Sequence, residues 1–352
     1  MPGLLDTAVT GLRVSQSALR TAGHNIANAN TDGFSRQHIE VATNTASFAG
    51  SGYIGNGASV TSVQRTANEF VTAQLRTDTS LAAAQVAFSE NIRQLDTLLS
   101  DTASGLSSAL DSFFSTLQNA ADDPTSVPAR QLVISEAGNL ATRFHSIYER
   151  FESMNESINA KMEVSVAQIN ALSSNIAQLN VNIAAVSGAS DNPPNDLLDQ
   201  RDEALRQLSE LVSIQTFEQD NQVNVIVGGG QSLVISGTAR ELTLIPGELD
   251  ASQLDIAYND ELGAQSISDR LSGGEVGGLL EFRDSILAES FNELGRIAMV
   301  MASNFNDAHA QGIDLSNNFG GNFFRDVNDP DLVLNRVSGS TTNSAPDDRV
   351  IS

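Results

Sequence analysis

A short run of acidic and basic side chains is the first place where this sequence could carry catalysis. Asp199, Asp202 and Glu203 lie close together, and Arg201 and Arg206 are interleaved with them. Paired carboxylates can act on a substrate as general acid and general base. On a helix, however, carboxylates and guanidinium groups at this spacing usually form ion pairs on the exposed face. We therefore expect a solvated, ion-paired surface here.

Two other features are typical of enzymes, and both lack the neighbours that an enzyme would need. Gly228, Gly229 and Gly230 could form a phosphate loop, but such a loop ends in Gly-Lys-Ser/Thr and leads into a helix. Here β-prone residues flank the glycines and no lysine is near, which predicts a hairpin turn. No metal-ligand spacing relates the four histidines, His24, His38, His145 and His309. The sequence predicts no catalytic residue, no cofactor and no metal ligand.

The amino-acid composition limits the classes of molecule that this protein could bind. The 352 residues carry a formal charge of −24, with 19 basic and 43 acidic side chains, and Lys161 is the only lysine. Because no basic cluster could follow a phosphate backbone, we expect neither nucleic acid nor an anionic membrane as a partner. Cysteine is absent, which excludes thiol catalysis and disulfides. No apolar run is long enough for a membrane span or for the core of a cleaved signal peptide.

The beginning of the chain carries the most informative pattern. A leucine heptad covers one narrow face of a helix, and such a face needs a partner helix to bury it. The pattern ends in Asn- and Gly-rich residues that favour a turn. We therefore interpret this helix as an assembly element, mobile in the isolated monomer or solitary in a structure. The residues assigned to the assembly interface are Leu5, Leu12, Leu19, Ile26, Asn25, Asn28, Asn30 and Gly33.

The rest of the pattern predicts a mainly α protein with β insertions: an elongated helical bundle or coiled-coil rod with a small β subdomain. Helical spacing from 129 to 187 would span roughly 87 Å at about 1.5 Å per residue. Asn195 is expected to cap the helix that follows. The predicted segments are 1–65 (assembly helix and extended linker), 66–213 (long helical bundle), 214–270 (β insertion), 271–315 (helix returning to the bundle) and 316–352 (start of an incomplete β-rich domain).

The heptad inside the long helix should be covered within the chain, because three or four predicted helices can shield one another. The expected cover is the helix at 279–309 or the helices at 66–120. The residues expected to be buried there are Leu172, Ile176, Leu179 and Ile183.

Four motifs resemble one family of bacterial proteins. ALRTAGHNIANANTDGFSRQ is similar to the N-terminal signature of flagellar rod, hook and hook-associated proteins. IGNGASVTSVQRTANEFVTAQLR, DLLDQRDEALRQLSELV and GGLLEFRDSILAESFNELGRIAMVMASNFNDAHAQGIDL resemble the hook-associated protein 1 family, the first hook–filament junction protein. The matches occur in order over roughly residues 1 to 325. The first motif identifies only the axial superfamily, whereas the four together specify the family.

The resemblance implies a secreted structural subunit at the hook–filament junction of the bacterial flagellum, exported by the flagellar type III apparatus. It implies self-association in a junction layer, with the N-terminal helix facing the central channel. Further implied partners are the hook protein, the second hook–filament junction protein, the export apparatus and a chaperone. Because the family has a C-terminal helix that pairs with the N-terminal one, the end at Ser352 suggests a truncated chain.

The sequence leaves two alternatives open. Another axial protein of hook or rod type would share the first motif, although the order of the DQRD and FRDS segments argues against it. A secreted adhesin or protease-like effector would belong to a different class. Such an enzyme should show a convergent set of polar residues, and turnover of generic substrates that one point mutation abolishes would identify it.

Overall fold

The computed structural model describes residues 4–48, 50, 52–100, 105–189, 192–248, 250–260, 263–314 and 316–330. The expected β-rich domain at 316–352 lies largely outside these residues. The helices are α1 (Leu4–Ala27), α2 (Glu69–Leu99), α3 (Leu106–Asp122), α4 (Val127–Ala189), α5 (Asn195–Leu211), α6 (Gly274–Glu281) and α7 (Ala288–Ala310). The strands are β1 (Gln37–Thr43), β2 (Ser47–Phe48), β3 (Tyr53–Ile54), β4 (Ala58–Arg65), β5 (Gln215–Gln219), β6 (Gln222–Val227), β7 (Gln231–Ile235), β8 (Thr238–Ala239), β9 (Leu242–Pro246), β10 (Leu254–Asp260) and β11 (Gly263–Ser266).

The N-terminal unit consists of α1 and a β-ribbon. β1 pairs antiparallel with β4, with Gln37 opposite Arg65 at one end and Thr43 opposite Ala58 at the other. The short pair β2–β3 continues the ribbon at its far end. The stretch predicted as an extended linker is therefore a folded ribbon, and α1 packs against both of its long strands.

Helix α4 is the frame of the molecule. Its 63 residues span roughly 95 Å at 1.5 Å per residue. α3 precedes it by a short turn and packs on its first half, and α7 joins it there through Phe291, whose ring lies 5.4 Å from Tyr148 and 5.3 Å from Phe151. α2 packs instead on α5 and α6.

The heptad in the second half of α4 is buried, but its cover differs from the expected one. Ile176 and Ile183 are 0% exposed, Leu179 is buried and Leu172 is partly buried. The elements beside this half include α5 and the strands of the β insertion. α5 lies there because only residues 190–194 connect it to the end of α4. The ring contacts of α7 with α4 lie far away, about 25 residues before Ile176.

The β insertion forms two antiparallel sheets, in the order β5-β6-β7-β8 and β9-β10-β11. Gly228, Gly229 and Gly230 turn the chain from β6 into β7 with positive φ angles of 53°, 75° and 122°. Glycine is favoured there because it lacks a Cβ. The predicted hairpin turn is confirmed.

Asparagine side chains along α4 form hydrogen bonds with the β insertion and hold it against this helix. Asn180 Nδ2 donates to the carbonyls of Val223 (2.7 Å) and Ser236 (2.6 Å), while its Oδ1 accepts from Val223 N (3.0 Å). Each such amide satisfies backbone groups of the β insertion that would otherwise lack partners. The other pairs are Asn170 with Leu242, Asn159 with Leu254 and Ser252, and Asn155 with Ser252.

The returning helix is interrupted. It begins at Gly274, inside the predicted segment 271–315 and five residues before the helix expected at 279–309, and the segment Phe282–Leu287 between α6 and α7 is π-helical. Within that segment the buried Arg283 donates to the carbonyl of Leu254 (2.6 Å) and pairs with Asp284 (2.7 Å). The returning helix is thereby bound to the β insertion.

Candidate assembly interface

The leucine heptad of α1 is exposed in the structure. The side chains of Leu5, Leu12, Leu19 and Ile26 are 80%, 58%, 72% and 78% exposed. Large apolar groups in a row on a helix leave a surface that is more stable when another apolar surface covers it. We call this row the leucine stripe.

The opposite side of α1 is covered by the ribbon. The amide of Ala58 donates to Thr10 Oγ1 at 3.4 Å. Beside it, Gly57 has a φ of 85°, and a Cβ there would lie 2.0 Å from the same hydroxyl oxygen. The expectation that α1 stands alone is therefore wrong, because backbone of β4 and the preceding turn approach it closely.

Two of the predicted interface asparagines bind within the chain. Asn25 pairs with the backbone of Gln37 in both directions: its Nδ2 donates to the carbonyl at 2.8 Å and its Oδ1 accepts from the amide at 2.9 Å. Asn28 Nδ2 donates to the His24 carbonyl at 3.1 Å, and its Oδ1 accepts from Thr31 Oγ1 at 3.3 Å. These asparagines shape the turn after α1, whereas Asn30 is exposed.

The turn after α1 lies on α5. Gly33 has a φ of 75°, and a Cβ at this position would lie 2.8 Å from Glu203 Cβ. Two residues later, the amide of Ser35 donates to Asp199 Oδ2 at 2.9 Å. The predicted interface residue Gly33 therefore permits a close contact inside the chain.

The acidic run on α5 forms a joint with the ribbon. Arg65 of β4 donates to Asp199 at 3.0 Å and to Asp202 at 2.5 Å. Burial alone would lower the pKa of Arg65, but the charges and hydrogen bonds of Asp202 and Asp199 outweigh it and raise that pKa. The guanidinium is therefore held charged between two carboxylates.

The expectation of a solvated face is wrong for part of this run. Asp199 is 6% exposed and Arg201 is 3% exposed, because the ribbon and β5 cover α5. Arg201 binds the carbonyl of Asn221 at 3.0 Å. The expectation of ion pairing is confirmed, and these ion pairs lie between elements.

The remaining charges of the joint are also paired. Arg206 donates to Glu203 at 2.7 Å and to Glu210 at 2.6 Å. The hydrogen bond from Arg206 lowers the pKa of Glu203 despite its partial burial, and the pKa of Arg206 is raised, first of all by Glu203.

The first turn of α5 completes the joint. Asp196 accepts from Gln37 Nε2 at 2.9 Å and lies 3.5 Å from His24 Nε2. Asn195 is not the expected cap, since Pro194 precedes the helix and no side chain caps it. Asn195 Nδ2 instead donates to the Val63 carbonyl at 2.8 Å.

These contacts indicate that the charged residues of α5 hold the ribbon against this helix rather than transfer protons to a substrate. The buried carboxylate of Asp199 is bound by a guanidinium and a backbone amide. In the described part of the chain, no group of three or more acidic or histidine side chains could hold a metal ion. Among those same residues, no helix is long and apolar enough to cross a membrane.

The sequence does contain a signal for this joint. The acidic residues of α5 recur at spacings of three and four, which places them on one helix face, and the signature turn supplies backbone amides for such a face. The members of that face are Asp196, Asp199, Asp202 and Glu203.

Comparison with known proteins agrees with the fold. The family profile of the flagellar hook-associated protein FlgK helical domain matches residues 92–324, and that of the flagella basal body rod protein matches residues 5–34. The solved structure of the flagellar hook junction protein FlgK from Burkholderia pseudomallei is similar, with a TM-score of 0.67 and 31% identity. It matches over 71% of this chain and 46% of that one.

Curated relatives carry the same name in several bacteria. Flagellar hook-associated protein 1 of Salmonella typhimurium is 36% identical over 328 residues, covering 92% of this chain and 59% of the relative. That of Escherichia coli K12 is 33% identical and covered to 60%. The chain thus spans about three fifths of these relatives' length. Since the helical-domain profile matches well over half of the chain, the chain belongs to the FlgK family of flagellar hook-associated proteins.

Proposed function

We propose that this chain is a structural subunit of the extracellular bacterial flagellum, located at the junction between hook and filament. Relatives named flagellar hook-associated protein 1 match 92% of the chain, and a solved structure named as a flagellar hook junction protein matches 71% of it. The observation that carries the proposal is the leucine stripe. It is exposed on α1, and the other side of this helix packs against the β1–β4 ribbon. Such a surface is suited to assembly through the N-terminal helix.

The same proposal includes the export route and the partners. The subunit leaves the cell through the flagellar type III apparatus, with a chaperone, and forms a layer by self-association. Its neighbours are the hook protein and the second hook–filament junction protein. Its work is mechanical coupling without catalysis, as the paired charges between α5 and the ribbon support.

Immunogold electron microscopy of isolated hook–filament structures tests the location. Antibody against this chain should mark a single band where hook and filament meet. Label along the hook or on the rod would favour the hook or rod alternative and would contradict the junction role.

The role of the leucine stripe is tested in cells whose own gene carries Leu12→Ser and Leu19→Ser. We expect hooks without filaments and loss of swimming, because the substitutions remove apolar area that a neighbouring subunit would bury. The matched control is Arg13→Ser with Arg20→Ser, one residue further along the same exposed helix. Normal filaments in the leucine variant would exclude the stripe as the interface.

A further inference from the structure

A small cleft lies between the beginning of α2, helix α5 and strand β5. Its volume is about 210 Å³. That is below the roughly 300–1,000 Å³ of typical small-molecule pockets, so a nucleotide or cofactor would not fit, whereas a carboxylate would. The charged side chains that line it are Arg65, Arg76, Arg201, Glu69, Asp202 and Glu218.

Most of these charges already have partners. Arg65 is bound by Asp202 and by a second carboxylate of α5. Arg201 pairs with Glu218 at 3.4 Å. Arg76 differs from both: its guanidinium donates to the neutral hydroxyl of Thr216 at 3.2 Å, and no carboxylate within the described ranges forms an ion pair with it.

Arg76 is also partly withdrawn from water. Burial lowers its pKa, and the charge of Arg201 lowers it further, against an opposing contribution from Asp202. A cation that is partly desolvated and unpaired costs free energy that an anionic partner would recover.

Arg201 supplies a second, independent observation. Its side chain is only 4% exposed, and its Nε–H is buried with no acceptor among the described residues. A buried donor without an acceptor is uncommon and calls for an explanation. Arg201 lines the same cleft as Arg76, so a carboxylate bound beside Arg76 would lie near this side chain.

We propose that this cleft is a carboxylate-binding site in which Arg76, supported by Arg201, pairs with an acidic group from outside the chain. Arginine binds carboxylates well because its N–H groups match both oxygens. With 43 acidic and 19 basic residues, a second copy of this chain offers many such groups. A small free carboxylate is the other source of the same chemistry. The site does not depend on the proposed flagellar role.

Arginine Nε–Hε signals in the NMR spectrum of the full chain test the site. Sodium acetate is titrated in while sodium chloride keeps the ionic strength constant. The chemical shift of the Arg76 signal should change with acetate concentration and reach a plateau. This saturable change should be absent from the Arg76→Gln variant. Arg93 is the matched control, since it is exposed on the same helix, and its signal should drift without saturating. A linear shift at Arg76, equal to that at Arg93, overturns the proposal.

The source of the carboxylate is distinguished without acetate. If raising the protein concentration moves the Arg76 signal in the direction that acetate does, a second copy occupies the cleft. If it does not, a free carboxylate is the ligand.

Thermal unfolding separates binding from a structural role. Arg76→Gln should leave the midpoint unchanged or raise it, because it removes an unpaired charge. A midpoint lowered by several degrees would show that Arg76 stabilises the fold by itself and would overturn the proposal.

Discussion

Two helices of this protein carry apolar residues at intervals of seven, and they meet opposite environments. In α4, Ile169, Ile176 and Ile183 are all 0% exposed. In α1, Leu12 and Leu19 are 58% and 72% exposed. The spacing is the same, so it indicates a helix and one apolar face but does not say what covers that face.

The two helices are also held differently. α4 is stabilised by apolar burial along its length, whereas α1 is fixed through polar contacts such as those of Asn25 with Gln37. The leucine stripe of α1 therefore stays exposed, while the polar contacts fix the orientation of this helix relative to the ribbon. On α1, attachment to the rest of the chain is therefore separate from burial of the apolar face.

The largest expected effect is a loss of unfolding free energy at a buried position of α4. Ile176→Ala should lower the free energy of unfolding by about 2–5 kcal/mol, because it removes buried methyl groups and leaves a cavity. Urea denaturation followed by circular dichroism measures it. The matched change Leu19→Ala should stay within about 0.5 kcal/mol, as is usual for exposed positions. Similar losses at both positions would mean that the leucine stripe packs inside the monomer.

An intermediate effect is expected at the joint that holds α1. Asp199→Asn removes the charge that faces Arg65 and weakens the acceptor of the Ser35 amide. We expect that amide to open more easily by about 1–3 kcal/mol, measured by hydrogen exchange. Asp196→Asn, at a side chain that is 65% exposed, should change it less. An equal response would show that burial of Asp199 is unimportant to the attachment.

The smallest expected effect is on how the free energy of unfolding depends on pH. Because Arg206 holds the pKa of Glu203 below its ordinary value of 4.5, Glu203 stabilises the fold fully above that value and loses this contribution as the pH falls through its lower folded-state pKa. Glu203→Gln should therefore cost less than about 1 kcal/mol near neutral pH, and the difference should shrink in acid. Urea midpoints between about pH 7 and pH 3 measure it. A difference that grows in acid would contradict the assignment.

The periodic parts of the fold were predictable from sequence. The long helix, the first helix and the glycine hairpin follow from apolar spacing and from residues that favour turns. The cover of Ile176 was not predictable in the same way, because it depends on a connection of five residues that places α5 beside α4. The π-helical segment at Phe282–Leu287 was not predictable, because Leu280, Leu287 and Leu294 keep an interval of seven across it.

The apolar row on α1 was predictable from sequence, whereas the contacts of the polar residues near it were not. Exposure of Leu5 to Ile26 agrees with the assignment of the stripe, whose role in assembly stays a proposal. Asn25 and Gly33 occur in the same signature, but the structure uses them inside the chain. Polar residues that dock against backbone leave no periodic signal, because their partners can lie far away along the chain, as with Asn195 and the Val63 carbonyl, 132 residues apart.

The asparagines of α4 have a consequence for sequence tolerance. Asn180 and Asn170 contact amides and carbonyls of the strands, which every residue except proline presents alike. Strand side chains that point away from α4 are therefore free to change without loosening the attachment. An insertion with a foreign surface could be grafted onto this rod, provided that its strands place the same backbone groups opposite the same asparagines.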